Sequence, residues 1–392
     1  MLCSALFGLL LLQGPANPPS QAGDQKAPVA LSKAEQQHQK DIESDIEMGK
    51  RFVKEVEKTE HPSDNKEYQD RVNRIGQEIA KIAQVTPVET LWGDKRLNKF
   101  DYTFTVLKGE DVNAFSLPGG FIYVYEGLVK YAESDDEIAA VLAHEISHAE
   151  ERHIATLAHE QSKVTTPALI ALLAAIASRN PNMIEGALMV GSNIIQSFTS
   201  SWSVQAEQAA DHGGFQYLVH SKYNPTAMLT FMERLAMDEH SDPARNIDWG
   251  IYRTHPPGSL RAQAILKDMR TYGIPVQRSL VTTRFRTDVR PGKDGVEIWF
   301  NKRKLYTFAG DEALQRADDA AAKLNKFFDS EPNLFDVSFD GADILGSRSP
   351  LLSILPADAQ AESTTLDKLG QKTVDAIKGS LYNYAFNVWT SR

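Results

Sequence analysis

The order of apolar and polar positions divides the chain into two leading helices, a short region of strand, a long helical run and a mixed tail. Residues 33–60 carry a partial apolar stripe, Ile46, Phe52, Val53 and Val56, which predicts a helix. Residues 66–83 put Val72, Ile75, Ile79 and Ile82 on one helical face, and Pro87 ends that region. From 100 to 108 the period changes to two, with Tyr102, Phe104 and Val106 alternating with their neighbours, so a strand is predicted there and a second over 121–125. Between them, 113–120 contains Pro118, which cannot donate to a ladder, followed by Gly119 and Gly120. The residues alone favour a plain β-turn here, with an edge strand as the alternative.

Ser134 to Glu137 reads as a capping box, with Ser134 at the N-cap and Glu137 reaching back. Asp135 and Asp136 suit the positive end of the helix dipole. The helix so opened buries Ile138, Val141 and Leu142 and is predicted to run to about Lys163, before Pro167. Two apolar runs follow, 167–177 and 184–195. Each is well short of the roughly 20 residues of a membrane span. Buried core helices are the first reading; a membrane-touching hairpin over 167–197 is the sharper one. Further helices are predicted over 203–220 and 260–272. Beyond residue 278, strands are predicted over 281–287, 296–300, 304–308 and 351–355, with helices over 311–328 and 357–381, a weakly repeated strand–helix unit. The fold class is therefore α+β. A mainly helical domain with a small sheet spans 32–278, and a small α+β domain of unassigned role spans 279–392.

A net charge of −10 without a basic patch argues against nucleic acid as a partner. Cys3 is the single cysteine, which excludes an intrachain disulfide and a cysteine-based zinc site, so a metal would be held by His and carboxylate. Residues 5–12 are apolar but too short to span a bilayer, and the stretch to 31 is rich in Pro, Ala, Gln and Gly. Residues 1–31 therefore read as a signal peptide and a disordered linker, and export to a periplasm or cell envelope is expected.

The chemistry centres on His144-Glu145-Ile146-Ser147-His148. Four residues advance about 400° along a helix, so the two imidazoles stand one above the other and can grip one Zn²⁺ ion. Glu145 beside them is placed to hold and deprotonate a water. Glu207 and Asp211 share a face of the 203–220 helix. Glu207 is a candidate third ligand, and Asp211 a candidate to orient a ligating His through its other nitrogen. Taken alone, such a pair is usually a solvated face. Ala209, Ala210, Gly213 and Gly214 remove side-chain bulk and let this helix pack tightly. His255 stands on a loop stiffened by Pro256 and Pro257, with Arg261 shortly after.

The set 113–120, His144-Glu145-x-x-His148 with His153, Glu207-x-x-Ala210-Asp211-x-x-Gly214, Tyr223-Asn224-Pro225 and Thr254-His255-Pro256-Pro257 resembles the HtpX/BepA/Oma-like zinc metalloproteases, peptidase family M48, over residues 43–272. The resemblance implies a gluzincin site with one zinc held by His144, His148 and Glu207, Glu145 as general base and Asp211 behind the ligands. It implies that Asn113, Ala114, Phe115 and Gly119 lie near the substrate-binding edge strand. It implies either that His255 is an inhibitory extra ligand or that His255 and Arg261 stabilise the oxyanion. One departure is Val204, where the family pattern has an arginine. His153, nine residues after His144 and about 180° around a continuous helix, reads as structural; His159 and His212 read as non-ligands. The reading is an exported zinc endopeptidase acting on protein or peptide substrates. The rival is an envelope assembly or chaperone-like factor whose metal site is structural or latched by His255.

Overall fold

The computed structural model describes residues 31–160, 201–241 and 258–389. The signal-peptide reading, the 167–197 hairpin and His255 fall outside the described residues. By internal contacts the chain forms two units, Met1–Lys40 and Asp41–Arg392. In the first, Ser32 opens helix α1 (Lys33–Thr59) with a reciprocal cap: its Oγ accepts the Glu35 N–H at 3.2 Å, and its own N–H donates to the Glu35 carboxylate at 2.7 Å.

In the second unit, α2 (Lys66–Ala83) packs on a three-stranded sheet of β1 (Thr103–Leu107), β2 (Ala114–Leu117) and β3 (Phe121–Tyr125). The order is β1-β3-β2, with β1 parallel and β2 antiparallel to β3. Glutamines of α2 cover the outer side of β1. Gln69 bonds the Phe104 carbonyl at 2.8 Å and the Val106 N–H at 2.9 Å, and Gln77 bonds the Tyr102 carbonyl at 2.9 Å. That satisfies backbone groups that an uncovered edge would leave to water. The opposite edge is β2, and no strand among the described residues pairs with its outer side. The stretch whose residues favoured a plain turn is therefore an edge strand followed by a turn. Ala114 and Phe115 are in the strand, whereas Gly119, at φ +83°, is in the turn. The alternation survives Pro118 because Pro118 lies just past the last paired residue, Leu117.

After the short α3 (Glu126–Tyr131) comes α4 (Asp135–Glu150), capped by Ser134, whose side chain accepts the Glu137 N–H. The Glu137 carboxylate reaches back to the Glu133 N–H at 2.9 Å and pairs with buried Arg234. The helix does not continue to 163. It stops at Glu150, Arg152 turns the chain at φ +53°, and α5 (His153–Glu160) starts anew. On α4 pack α6 (Ser201–Val219) and α7 (Thr226–Ser241), and α8 (Gly258–Thr271) packs against both of these, closing a core from Val72 to Val281.

A second core runs from Ile298 to Leu381. Between the two cores, the expected strand over 281–287 is instead a helical turn α9 (Arg278–Val281), a 3₁₀ turn and the start of β4 (Thr287–Pro291), because Phe285 is buried at the junction with Met237 and Val388. The tail then holds two three-stranded antiparallel meanders, each followed by helix. The first is β4, β5 (Val296–Phe300) and β6 (Arg303–Phe308) before α10 (Ala313–Asp329). The second is β7 (Val337–Phe339), β8 (Asp343–Gly346) and β9 (Ser349–Ser353) before α11 (Pro356–Ala361) and α12 (Leu366–Trp389). The helix expected over 357–381 is thus two helices.

Asp358 ties the second core together. Its fully buried carboxylate accepts from Tyr306 Oη at 2.8 Å, from the Ala309 and Leu355 N–H groups at 2.7 and 2.9 Å, and from Arg316. Burial pushes its pKa up, but the Arg316, backbone and Tyr306 bonds outweigh that and hold it below the usual carboxylate value. A depressed folded pKa stabilises above the unfolded value of about 3.9 and ceases to as pH falls through the folded one. Asp358→Asn is expected to cost about 1–3 kcal/mol in urea unfolding at pH 7. The gap to wild type should narrow by pH 3; a gap independent of pH would remove the charge from this account.

Candidate metal centre

Helix α4 presents His144 and His148 on one face, and α6 brings Glu207 against them. The His144 and His148 Nε2 atoms lie 3.1 Å apart. Glu207 Oε2 lies 3.3 Å from His144 Nε2, and Oε1 lies 3.2 Å from His148 Nε2. Ligands at about 2.0–2.2 Å from a tetrahedral ion are separated by roughly 3.3–3.5 Å, so this triangle has the size of a metal site. Among the described residues it is the group of His and carboxylate side chains that could hold an ion. The chemistry of the donors agrees. Two imidazole nitrogens and a carboxylate converging on one point are the donor set of a zinc site. Glu145, Glu207 and Asp211 crowd three carboxylates against the single guanidinium of Arg261, an acidic excess that suits a cation.

The contact of α4 with α6 depends on the small residues. Ala209 and Ala210 are fully buried. A Cβ on Gly214 would lie 2.9 Å from the Ala143 carbonyl carbon and the His144 nitrogen. Gly214→Ala should therefore cost about 1–3 kcal/mol in thermal unfolding despite the better helix propensity of alanine. An unchanged or raised melting temperature would show that the helices have slack.

Behind the ligands, Asp211 Oδ1 accepts from His144 Nδ1 at 2.9 Å. Arg261, carried by α8 and also buried, grips Asp211 with two nitrogens at 2.8 and 2.7 Å and approaches Glu207 at 3.3 Å. Burial raises the Asp211 pKa, but the Arg261 charge and hydrogen bond and the His144 bond win and hold it at about 2. Burial and Arg261 draw His144 down, yet its bonds to Asp211 and Glu207 lift it to about 9. Burial pushes His148 down to about 4, against the pull of Glu207.

Glu145 is buried on α4 and lines a small cavity with His144, Asp211, Met228 and Arg261. Asn113 is buried beside β2, and Val204 lies on the exposed side of α6. His212 is not among the ligands; its Nδ1 meets Asp268 at 2.9 Å. His153 is placed where the sequence did not suggest. With α4 broken at Arg152, the 180° separation no longer applies, and His153 Nδ1 meets His148 Nδ1 at 2.9 Å. No local signal marks the break, because Glu150, Glu151 and Arg152 are all good helix formers.

The family model for Peptidase family M48 matches residues 69–269. The Beta-barrel assembly-enhancing protease of Escherichia coli (strain K12) is 34% identical over 173 residues, 42% of this chain and 34% of that protein. The Mitochondrial metalloendopeptidase OMA1 of Schizosaccharomyces pombe is 30% identical over 160 residues, 41% of this chain and 44% of that one. The Metalloprotease LoiP of Escherichia coli (strain K12) is 27% identical over 213 residues, 54% of this chain and 74% of that one. The match to the first of these spans about a third of its length. The family match takes in more than half of the 392 residues and contains both histidines and Glu207, so this chain belongs to peptidase family M48.

Proposed function

We propose that the protein is an exported zinc metalloendopeptidase that hydrolyses peptide bonds in misfolded or misassembled envelope proteins. The observation that carries this is the triangle of His144, His148 and Glu207 with Glu145 buried beside it on the same helix. A purely structural site has no need of that glutamate. His144 and His148, through Nε2, and Glu207 would hold the ion. Bound zinc supplies Lewis acidity to the scissile carbonyl and to the attacking water. Glu145 takes the proton from that water and hands it to the leaving amine. Asp211 keeps the His144 proton on Nδ1, and Arg261 holds Asp211 and Glu207 in place. An extended substrate would lie along the outer side of β2, where backbone groups of 114–117 offer ladder hydrogen bonds. One relative is named a Beta-barrel assembly-enhancing protease, which supports the choice of misassembled proteins as substrates. Among the described residues no helix is long and apolar enough to cross a membrane.

The test is zinc content by elemental analysis on wild type and Glu207→Ala, with casein hydrolysis on the same samples. One zinc per chain and chelator-sensitive cleavage, both lost in the variant, are expected. Zinc retained in Glu207→Ala would remove the third ligand, and zinc-free wild type would remove the enzyme class.

A further inference from the structure

We propose that His153 is a positioning residue for the metal: it accepts the Nδ1 proton of His148 and so fixes the tautomer that aims the Nε2 lone pair at the ion. This rests on the zinc-peptidase reading above. His148 Nε2 faces His144 and Glu207 at 3.1 and 3.2 Å, so it is the nitrogen on the metal side. A ligating nitrogen carries no proton, which puts the proton of neutral His148 on Nδ1. That atom meets His153 Nδ1 at 2.9 Å, with the two rings nearly perpendicular. A hydrogen bond there requires His153 Nδ1 to accept, and the His153 proton then sits on Nε2. His153 Nε2 lies 3.0 Å from the Trp92 carbonyl oxygen and 3.0 Å from Glu151 Oε2. The carbonyl can only accept, so it enforces the same assignment from the far end. The opposite order would set the Nε2 lone pair against two oxygens.

The surroundings hold His153 to this task. Its side chain is almost fully buried, with the Trp92 ring 5.2 Å away. The loop that delivers the Trp92 carbonyl turns at Gly93, φ +113°, where a Cβ would lie 2.5 Å from the Glu151 carbonyl oxygen and 2.9 Å from His153 Cδ2. The two ligating histidines are therefore oriented differently: His144 by a carboxylate, and His148 by a second histidine.

The test is the zinc dissociation constant, read by competition with a chromophoric chelator. His153→Phe keeps an aromatic ring, somewhat larger than imidazole, and removes the acceptor. Loss of a partner behind a ligand typically weakens metal binding about 10–100-fold, and that weakening is expected here. His153→Asn, with an oxygen near the Nδ1 position, should recover part of it. Unfolding temperatures under chelator control for general damage. A constant within about twofold of wild type in His153→Phe overturns the inference alone, whereas wild type without zinc overturns the reading beneath it as well. If His153→Phe does not fold, ring-nitrogen NMR of zinc-loaded wild type decides. A proton on His153 Nε2 is the expected result, and a proton on His153 Nδ1 overturns the inference.

Discussion

Glu145→Gln should bind zinc like the wild type and cleave casein about 10²–10⁴-fold more slowly. The substitution is nearly isosteric and leaves the triangle of His144, His148 and Glu207 untouched. The carboxamide can still accept a hydrogen bond from the attacking water, but it cannot take the proton. Because the same group must later protonate the amine, both proton transfers are lost together, and the effect should fall on kcat more than on KM. Glu145 is buried and lines its cavity together with Val141, Met228 and Phe231. Measuring zinc and turnover on the same samples separates the causes. Lost zinc would make Glu145 part of the metal site, and retained activity would take it out of the mechanism.

Arg261→Leu should destabilise the zinc-free protein by about 3–5 kcal/mol, because it leaves two buried carboxylates without their cation. Asp211 accepts two bonds from Arg261, and Glu207 faces it at 3.3 Å. Zinc, when bound, places positive charge on Glu207 from the other side and offsets part of that loss. The stabilisation gained from zinc should therefore be larger in the variant than in the wild type, read as the difference in melting temperature with zinc and with chelator. Equal differences in both proteins would mean that Arg261 is held by packing and contributes no charge compensation. Acidification supplies an internal check. Asp211, held at about 2, contributes stability above the unfolded carboxylate value of about 3.9 and loses it as pH falls toward 2. That loss should be smaller in the variant, whose Asp211 lacks the guanidinium.

The sequence by itself determined what depends on local geometry. The spacing of His144 and His148 follows from the turn of a helix, and Ser134 marks where that helix begins, because a cap is satisfied within four residues. The stripe of Val72, Ile75 and Ile79 and the alternation of Phe104 and Val106 declared a helix and a strand because each needs only its own neighbours to show a face. Glu207 and Asp211 were visible as a pair on one face, but as no more than that without the resemblance. What they meet could not be read, since Asp211 is grasped by Arg261, 50 residues away.

The tertiary structure decided the rest. A helix that residues 135–163 favour throughout ends at Glu150, because Arg152 turns the chain to pair with Asp45 of α1 and Asp94 of the loop before β1. That break brings His153 under His148, and no periodicity could reveal it while the helix was taken as continuous. Residues 114–117, four long and ending at a proline, carry too little pattern to tell strand from turn. Pairing with β3 on one side makes them an edge. The short strands β7 and β8 escaped for the same reason: three or four residues show no period, and their state is set by the helices they pack on. Local spacing fixes which groups a segment can present. Which of them meet depends on contacts between segments far apart in the chain, where burial and charge pairing outweigh the propensity of either segment alone.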